Sequence, residues 1–321
     1  MNHDASMSVV DGREILWAAH SERYSKVKND HFLNWKIVNE AMTYGPFDKV
    51  VYYERPWLKK TRQFYAGQFG TALSYTEMPQ WHLDHFGIKI DQYVKHHDSH
   101  AAAGYFTSPF KEEGATILTV DAIGEWETVS ISTADKVWID RKETLNYPHS
   151  VGILYSAFTH RCGLKPAEEE YILMGMAAYG KPIYKDDIYE DFVHQSPFKM
   201  KKNLHRGLSD WHPEADVMDI AASIIPNPGD SGSSLGCIAA AEKIHLNWKS
   251  PFLGHNIEGE YPVDAIIKEL TENKMVGVAN GRAEFGPRAL GNRSLLADPR
   301  GEDIKDLVNG IKHRQKFRPF A

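Results

Sequence analysis

The sequence has little of what marks secreted proteins, membrane proteins or zinc knuckles. Its only cysteines are Cys162 and Cys237, which excludes a multi-disulfide framework and a CxxC metal site. No stretch approaches the roughly 18 consecutive apolar residues of a membrane span, and the first residues lack the basic and apolar regions of a signal peptide. These absences predict a cytoplasmic protein that does not enter a membrane.

Positive charge is also scarce over most of the chain. The formal net charge is -6, which argues against general nucleic-acid binding because phosphate groups require a positive field. Residues 281–321 differ, since they carry nine Lys or Arg against five acids and are locally +4. A basic segment on an acidic protein favours a compact anionic ligand.

The composition that remains is that of a folded protein with a sizeable core. The chain has 321 residues, of which 42% are hydrophobic, and at roughly 150 residues per domain this predicts two domains. Strand-type and helix-type patterns are mixed along the chain, which favours an α/β or α+β architecture. Turn-forming residues between 248 and 262 predict domains over 1–250 and 262–321, and 181–219 are predicted to be surface loops with a short helix.

The strongest metal signal is the segment KHHDSHAAAG. His96 and His100 are four residues apart, so on a helix both imidazoles lie on one face and reach one cation, whereas His97 points elsewhere. A pair at this spacing is equally compatible with a surface or supporting role. A metal site would also require a carboxylate ligand.

Two acids are candidates for that ligand. Asp121 lies at the end of an apolar strand in LTVDAIGE, where Gly124 would let a ligand approach the backbone, and Asp230 precedes a helix in NPGDSGSSLG. Ordinary turn formation and helix capping explain each pattern as well. Small residues beside an acid also suit phosphate and metal binding.

A second group of candidate residues lies in GRAEFGPRALGNRSLLADPR and in IKHRQKFRPFA. Arg282, Arg288 and Arg293 alternate with glycines, and Lys312 and Arg318 follow. Guanidinium groups bind phosphate or carboxylate through paired hydrogen bonds. The apolar residues among these arginines make a merely solvated basic face a poor explanation.

Seven segments together resemble the motifs of the NodU/CmcH family of O-carbamoyltransferases, and the resemblance runs from residue 3 to the last residue. In order they are HDASMSVV with SERYSKVK, HHDSHAAAGYFTSPF, VDAIGE, PHSVGILYSAFT, EYILMGMAAYGKP, GDSGSSLG, and GRAEFGPRALGNRSLLADPR, here called the arginine motif, with IKHRQKFRPFA. The arginine motif is highly specific, and the Asp-Gly segments are weak when taken singly.

The resemblance implies an actin/sugar-kinase-like N-terminal domain, similar to the tRNA threonylcarbamoyltransferase, followed by a YrdC-like α/β domain. It implies that ATP, with Mg, and carbamoyl phosphate are used to make carbamoyl-adenylate. The carbamoyl group then moves between the domains to a hydroxyl on a small acceptor such as a sugar, an antibiotic or a glycolipid-like signal.

The resemblance also assigns roles to residues. The metal, iron or another divalent ion, would be held by His96, His100 and Asp230. The nucleotide and its phosphates would be bound by Asp4, Asp121, Gly124, Arg282 and Arg293. Carbamoyl-adenylate would be bound by the catalytic residues Arg288, Lys312 and Arg318.

The sequence departs from the family pattern at both ends and internally. The glycine-bearing strand expected before HDAS, a GGVALN-like nucleotide loop expected after DIAASI, and the rest of the YrdC-like domain after FRPFA are all missing, and Ile172 replaces a lysine. We therefore expect an enzyme that is either a compact version of the family or completed by a second polypeptide or a homodimer. The alternative is a truncated non-catalytic remnant that binds nucleotide, metal or a partner. A generic actin-like phosphotransferase is a third reading, but it leaves the arginine motif unexplained.

Overall fold

The chain is described by a computed structural model covering residues 4–108, 114–177, 179–195, 198–208, 210–224, 233–243, 246–247, 249–285, 289–301 and 303–312. Two structural units are present. Unit 1 comprises Met1–Leu16 and His20–Trp248, and unit 2 comprises Trp17–Ala19 and Lys249–Ala321. Both contain helices and strands, so the predicted mixture of α and β structure is confirmed.

The strands that begin in unit 1 are short apart from three in its middle. They are β1 (Ser6–Asp11), β2 (Glu14–His20), β3 (Val51–Tyr52), β4 (Gln92–Tyr93), β5 (Ala115–Gly124), β6 (Glu127–Asp135), β7 (Trp138–Asn146), β8 (Val193–Gln195) and β9 (Phe198–Met200). β5, β6 and β7 form an antiparallel sheet, β3 pairs with β4 in parallel, and β1–β2 and β8–β9 are two-stranded.

The helices of unit 1 pack around these strands. They are α1 (Glu22–Ser25), α2 (Trp35–Met42), α3 (Pro56–Tyr65), α4 (Phe69–Leu73), α5 (Pro79–Asp84), α6 (His96–Phe106), α7 (Val151–Arg161), α8 (Glu170–Met176), α9 (Lys185–Phe192), α10 (Val217–Ala222) and α11 (Ser233–Glu242), with 3-10 turns at Tyr75–Glu77 and Leu204–Arg206. α6 lies against β5 and α11, and α7 packs against β5.

Local sequence explains where several of these helices begin. Asn34 accepts hydrogen bonds from the backbone N–H groups of Lys36 and Ile37 at the start of α2. Ser150 does the same for Ile153 at the start of α7. Such side-chain caps satisfy N–H groups that the first helical turn leaves without partners.

Residues 181–219 are more ordered and more buried than the sequence predicts. They contain α9, the β8–β9 hairpin and the start of α10, and Ile188, Phe192 and Leu204 are buried. Trp211 packs edge-on against Phe158 with ring centroids 4.9 Å apart. The predicted short helix is present as α9, and most of the described residues here are exposed or half-buried. The prediction fails for the β8–β9 hairpin and for the few apolar side chains that tertiary packing buries, because these are too irregularly spaced to show a period.

Unit 2 contains two antiparallel strand pairs and two helices. Its elements are β10 (Phe252–Ile257), α12 (Val263–Asn273), β11 (Met275–Ala279), β12 (Gly281–Glu284), β13 (Arg293–Ala297) and α13 (Ile304–Ile311). β10 pairs with β12, β11 pairs with β13, and α12 packs on β11. In the described parts of both units, none of the helices combines the length and apolar character needed to cross a membrane.

Candidate metal centre

Two histidines of α6 and one aspartate of β5 bring their ligand atoms together in unit 1. Nε2 of His96 lies 3.0 Å from Nε2 of His100 and 2.8 Å from Oδ2 of Asp121. The three ligand atoms all lie within 4.8 Å of one another, and His96 is buried. Two imidazole nitrogens and a carboxylate oxygen form a donor set that suits a divalent transition metal, so these residues fit a metal ion.

The helix places the two histidines, as their spacing requires. Residues four apart on α6 lie one turn apart on the same face, so both rings project from that face. Oδ1 of Asp121 accepts a hydrogen bond of 2.6 Å from the backbone N–H of Ala122, which orients the carboxylate. The Asp121 carboxylate, which the resemblance associates with nucleotide phosphate, thus lies against His96. Asp230 lies outside the described residues.

Charge keeps the Asp121 carboxylate ionised. Its burial by itself would raise its pKa, but the charge and hydrogen bond of His96, together with His100 and His97, hold the pKa below its ordinary value. An ionised carboxylate is the form that binds a metal.

Gly124 has a packing role that the sequence did not predict. An ideal Cβ at this position would lie 2.5 Å from Cδ2 of His96 and 2.7 Å from Cδ2 of His97. Contacts this short do not occur, so the absence of a side chain lets β5 pack directly on the imidazole rings. The approach of a ligand to the Gly124 backbone stays a prediction.

His97 points away from the cluster, as expected. Its Nδ1 lies 2.9 Å from Oγ of Ser130, and the ring is completely buried. Burial lowers the pKa of His97 to about 4, so the ring is neutral at physiological pH. Beside it, Arg141 binds the carboxylates of Glu127 and Asp98, which links β7, β6 and α6.

The start of α7 holds the end of β5 in place. The hydroxyl of Ser150 donates to the backbone oxygen of Ala122 at 2.6 Å. At Gly152 an ideal Cβ would lie 2.5 Å from Cα of Ala122, so the helix backbone is in direct contact with the strand. The PHSVG segment is thus a structural support for Asp121, a role that we did not derive from the sequence.

Two further residues next to the cluster escaped the sequence reasoning. The ring of Tyr53, just after β3, lies 5.5 Å from that of His96. Glu125, in the turn between β5 and β6, has a positive φ of 59° and a buried side chain. A glutamate at such a backbone conformation is unusual, because turns with positive φ favour Gly, Asn or Asp; this is the signal that could have identified it.

The other residues with a predicted role lie elsewhere along the chain or outside the described residues. Asp4 interacts electrostatically with His20, whose pKa is lowered chiefly by burial. Lys312 lies exposed just after α13. Arg288 and Arg318 lie outside the described residues. Ile172, the replacement for the family's lysine, is buried in α8.

Arg282 and Arg293 make hydrogen bonds to the backbone of unit 2. Arg282 donates to the carbonyl oxygens of Leu253 and Gly254, at 2.9 and 3.2 Å. Arg293 donates to four carbonyl oxygens, those of His255, Asn280, Gly281 and Asn292. These bonds tie β10, β12 and β13 together. Ligand binding by the two guanidinium groups stays a prediction, and it has to compete with these bonds.

Glu284 organises the loop of the arginine motif. Its Oε1 accepts hydrogen bonds from the backbone N–H groups of Leu290, Asn292 and Arg293, at 2.8, 2.9 and 3.2 Å. Burial by itself would raise the pKa of Glu284, but these N–H groups lower it below its ordinary value. The backbone after Leu290 is therefore folded around a carboxylate.

Fold and cluster together define the class: a mixed α/β protein with a candidate His/His/Asp metal centre. Comparison with known families makes the assignment specific. The family model "Carbamoyltransferase N-terminus" matches residues 88–216, and "Carbamoyltransferase C-terminus" matches residues 267–321. The two models together match more than half of the chain, which belongs to the NodU-type carbamoyltransferase family.

Individual relatives agree with this assignment. The chain is 26% identical to the uncharacterized protein sll1178 of Synechocystis sp., over 99% of this chain and 73% of that protein. It is 24% identical to the nodulation protein NolNO of Sinorhizobium fredii, over 99% of this chain and 62% of that protein. It is 26% identical to the nodulation protein U of Rhizobium tropici, over 70% of this chain and 46% of that protein.

The relatives are longer inside the aligned region. The alignment with the Synechocystis protein extends over 455 positions, more than the 321 residues of this chain. That relative therefore carries internal segments that this chain does not have, in agreement with the expected internal shortening.

Proposed function

We propose that the chain is an O-carbamoyltransferase that uses ATP and carbamoyl phosphate to make carbamoyl-adenylate and then transfers the carbamoyl group to a hydroxyl of a small acceptor. The observation that carries the proposal is the convergence of His96, His100 and Asp121 within the segment that matches the N-terminal carbamoyltransferase model. The match of residues 267–321 to the C-terminal model supports a second, adenylate-forming part.

The proposal also includes a specific fold for each of the two units. Unit 1 would correspond to an actin/sugar-kinase-like domain and unit 2 to part of a YrdC-like domain. The basic character of residues 281–321 supports an anion-binding role for unit 2.

Within unit 1, His96, His100 and Asp121 would hold a divalent metal, iron or another ion with the same ligand preference, and Asp230 is a further candidate ligand. When bound, the metal would supply Lewis-acid polarisation of a carbonyl oxygen. The chain's own groups orient the ligands: the Ala122 N–H fixes Asp121, and the backbone at Gly124 fixes the ring of His96.

The transfer step needs a path for charge and for a proton. The acceptor oxygen forms a bond to the carbamoyl carbon, the bond from that carbon to the AMP oxygen breaks, and the hydroxyl proton must go to a base. In the first step, water cleaves carbamoyl phosphate to carbamate and inorganic phosphate. A carbamate oxygen then forms a bond to the α-phosphorus of ATP and the bond from that phosphorus to pyrophosphate breaks, so cations must neutralise the charge on the leaving oxygens. We propose that Arg288, Lys312 and Arg318 neutralise the charge on the leaving pyrophosphate oxygens, with Mg accompanying the nucleotide.

Pyrophosphate release tests the proposal directly. Purified protein incubated with ATP, Mg²⁺ and carbamoyl phosphate should release pyrophosphate, and release should require carbamoyl phosphate. The variant with both His96→Ala and His100→Ala should lose its bound metal and its carbamoyl transfer but keep pyrophosphate release, since the latter is assigned to unit 2. Unchanged metal content and transfer in this variant would contradict the metal assignment.

The alternative is a non-catalytic member of the family that binds nucleotide, metal or a partner. It is favoured by the internal segments that the Synechocystis relative has and this chain lacks. Metal and ATP binding without any pyrophosphate release would select this alternative. If addition of a second polypeptide carrying the rest of a YrdC-like domain restored release, the chain would instead be one part of a split enzyme.

A further inference from the structure

Glu125 occupies a position where its residue type is costly. Its φ is +59° in the turn that joins β5 to β6, between the paired residues Gly124 and Glu127. Glycine adopts this conformation without steric cost, whereas a Cβ makes it unfavourable. Residues held in such conformations persist only where the surrounding structure maintains them, and they concentrate at functional sites.

The side chain of Glu125 is buried and engaged with backbone donors. Only 4% of the residue is exposed to solvent. Its Oε1 accepts a hydrogen bond from the backbone N–H of Arg55, and the backbone N–H of His96 also donates to the carboxyl group. One carboxyl group therefore joins two segments that are far apart in sequence.

The two donor N–H groups lie at the N-termini of α3 and α6, and neither helix has a side-chain cap of its own. Arg55 is the N-cap residue of α3, and Lys95, which precedes His96, is the N-cap residue of α6; neither side chain makes a capping hydrogen bond. The first N–H groups of a helix have no partner within the helix, so an outside acceptor is required. Glu125 supplies that acceptor at the N-terminus of α6, where His96 lies.

The turn itself is held by α3 and pressed against the cluster. Nε of Arg62, a buried side chain of α3, donates to the backbone oxygen of Glu125 at 3.2 Å. The preceding residue, Gly124, has its backbone against the ring of His96. His96 is therefore fixed from two sides, at its ring by residue 124 and at its backbone N–H by residue 125.

We infer that Glu125 is a positioning residue for His96: its carboxyl group binds the first N–H of α6 and thereby sets the placement of the His96 imidazole relative to His100 and Asp121. This inference rests on the metal site of the proposed function. The unfavourable backbone conformation of Glu125 is explained by this task, since no shorter side chain at the turn would reach both helix starts.

The test uses three variants of the whole chain. Glu125→Asn tolerates a positive φ, but its side chain is one carbon shorter and does not reach both donors. Glu125→Gln keeps the length and an acceptor oxygen. Lys136→Gly is the matched control, because Lys136 has a φ of +53° in the turn between β6 and β7 and its replacement relieves the same kind of conformation away from the cluster.

Cobalt(II) binding is the first readout, because the visible spectrum of Co²⁺ reports ligand geometry. Loss of a residue that orients a metal ligand typically weakens metal binding about 10–100-fold, and we expect this for Glu125→Asn, with an altered Co²⁺ spectrum. Glu125→Gln should bind Co²⁺ nearly as the unmodified chain does, and Lys136→Gly should be unchanged. A folded Glu125→Asn variant with unchanged Co²⁺ affinity and spectrum would overturn the inference.

Hydrogen exchange of the His96 amide is the second readout and needs no metal. The amide should be protected in the unmodified chain and in Glu125→Gln, and it should exchange faster in Glu125→Asn. An unprotected His96 amide in the unmodified chain contradicts the inference even if Glu125→Asn does not fold. If the unmodified chain binds no Co²⁺ while the His96 amide responds to Glu125→Asn, the metal site fails and the positioning of His96 by Glu125 stands.

Discussion

Gly124 and His96 are in direct van der Waals contact through the backbone of the strand end, such that a Cβ at position 124 would lie 2.5 Å from Cδ2 of the imidazole. The packing of a histidine therefore requires a glycine at this position of the VDAIGE motif, and the approach of a ligand to its backbone stays a prediction. This contact couples the end of β5 to the candidate metal centre and gives the first prediction.

Gly124→Ala should displace His96 and weaken Co²⁺ binding by about tenfold or more, as expected when the orientation of a metal ligand is lost. Crowding should also lower the free energy of unfolding by about 1–3 kcal/mol. Titration with Co²⁺ and thermal unfolding measure the two effects. Gly104→Ala is the matched control in α6, because a Cβ there meets nothing within 4 Å; equal effects of the two variants would contradict the prediction.

The identity of the carboxylate ligand can be decided by comparing Asp121→Asn with Asp230→Asn. The Asp121 carboxylate lies 2.8 Å from His96 Nε2, so its neutralisation should weaken metal binding by more than the 10–100-fold that is typical of supporting residues. Metal content after dialysis and Co²⁺ affinity measure the loss. If only Asp230→Asn released the metal, the role of Asp121 as a ligand would be excluded.

Arg293→Lys should destabilise unit 2. Four carbonyl oxygens accept hydrogen bonds from this guanidinium group, and a lysine ammonium does not reproduce their planar arrangement. Since a hydrogen bond to a charged group contributes about 1.5–3 kcal/mol, we expect a loss of at least that size in the free energy of unfolding.

Arg300→Lys serves as the control for Arg293→Lys, because the Arg300 side chain is largely exposed and pairs with Asp298. Its effect should be below about 1 kcal/mol, as is usual for exposed ion pairs. Unfolding monitored by hydrogen exchange in residues 252–297 separates the two variants. A normal stability of Arg293→Lys together with lost ATP binding would instead favour the ligand role predicted from the sequence.

The carboxylate of Glu284 should give the loop of the arginine motif a dependence on pH. Its folded-state pKa is lowered, so its stabilising contribution is complete above the unfolded-state value of 4.5 and is lost as the pH falls below that value towards the folded-state pKa. Protection of the amides of Leu290, Asn292 and Arg293, corrected for the intrinsic exchange rate, should decrease between pH 6 and pH 3.

Glu284→Gln separates charge from hydrogen bonding at this loop. The amide oxygen still accepts from the same N–H groups, so protection should persist near neutral pH at a lower level and become independent of pH in the acid range. A variant that retained the pH dependence of the unmodified chain would exclude Glu284 as its source.

Trp211→Ala should lower the free energy of unfolding by about 2 kcal/mol, less than the ~3–5 kcal/mol typical of a fully buried aromatic side chain, because Trp211 is half-buried. The ring packs edge-on against Phe158 and donates from Nε1 to Asp191 at 2.7 Å. Trp57→Ala is the control, since Trp57 is 71% exposed. Chemical unfolding of unit 1 measures both, and a Trp211→Ala variant as stable as the Trp57→Ala variant would contradict the prediction.

The sequence by itself determined the family, the mixture of α and β structure, and the common face of His96 and His100. These depend on local order along the chain: motifs are read directly, and the helical repeat fixes which side chains share a face. The prediction that His97 points away from that face follows from the same repeat.

Only the tertiary structure decided which groups meet the two histidines. Asp121, Gly124 and Glu125 follow His96 by 25 to 29 residues, and their contacts with His96 depend on how β5 packs against α6, which no local pattern encodes. The same holds for Arg282 and Arg293, which bind backbone carbonyls, and for Trp211, which packs half-buried against Phe158. Side chains of these types serve ligand binding or packing equally well, and which one applies is set by neighbours that are distant in sequence.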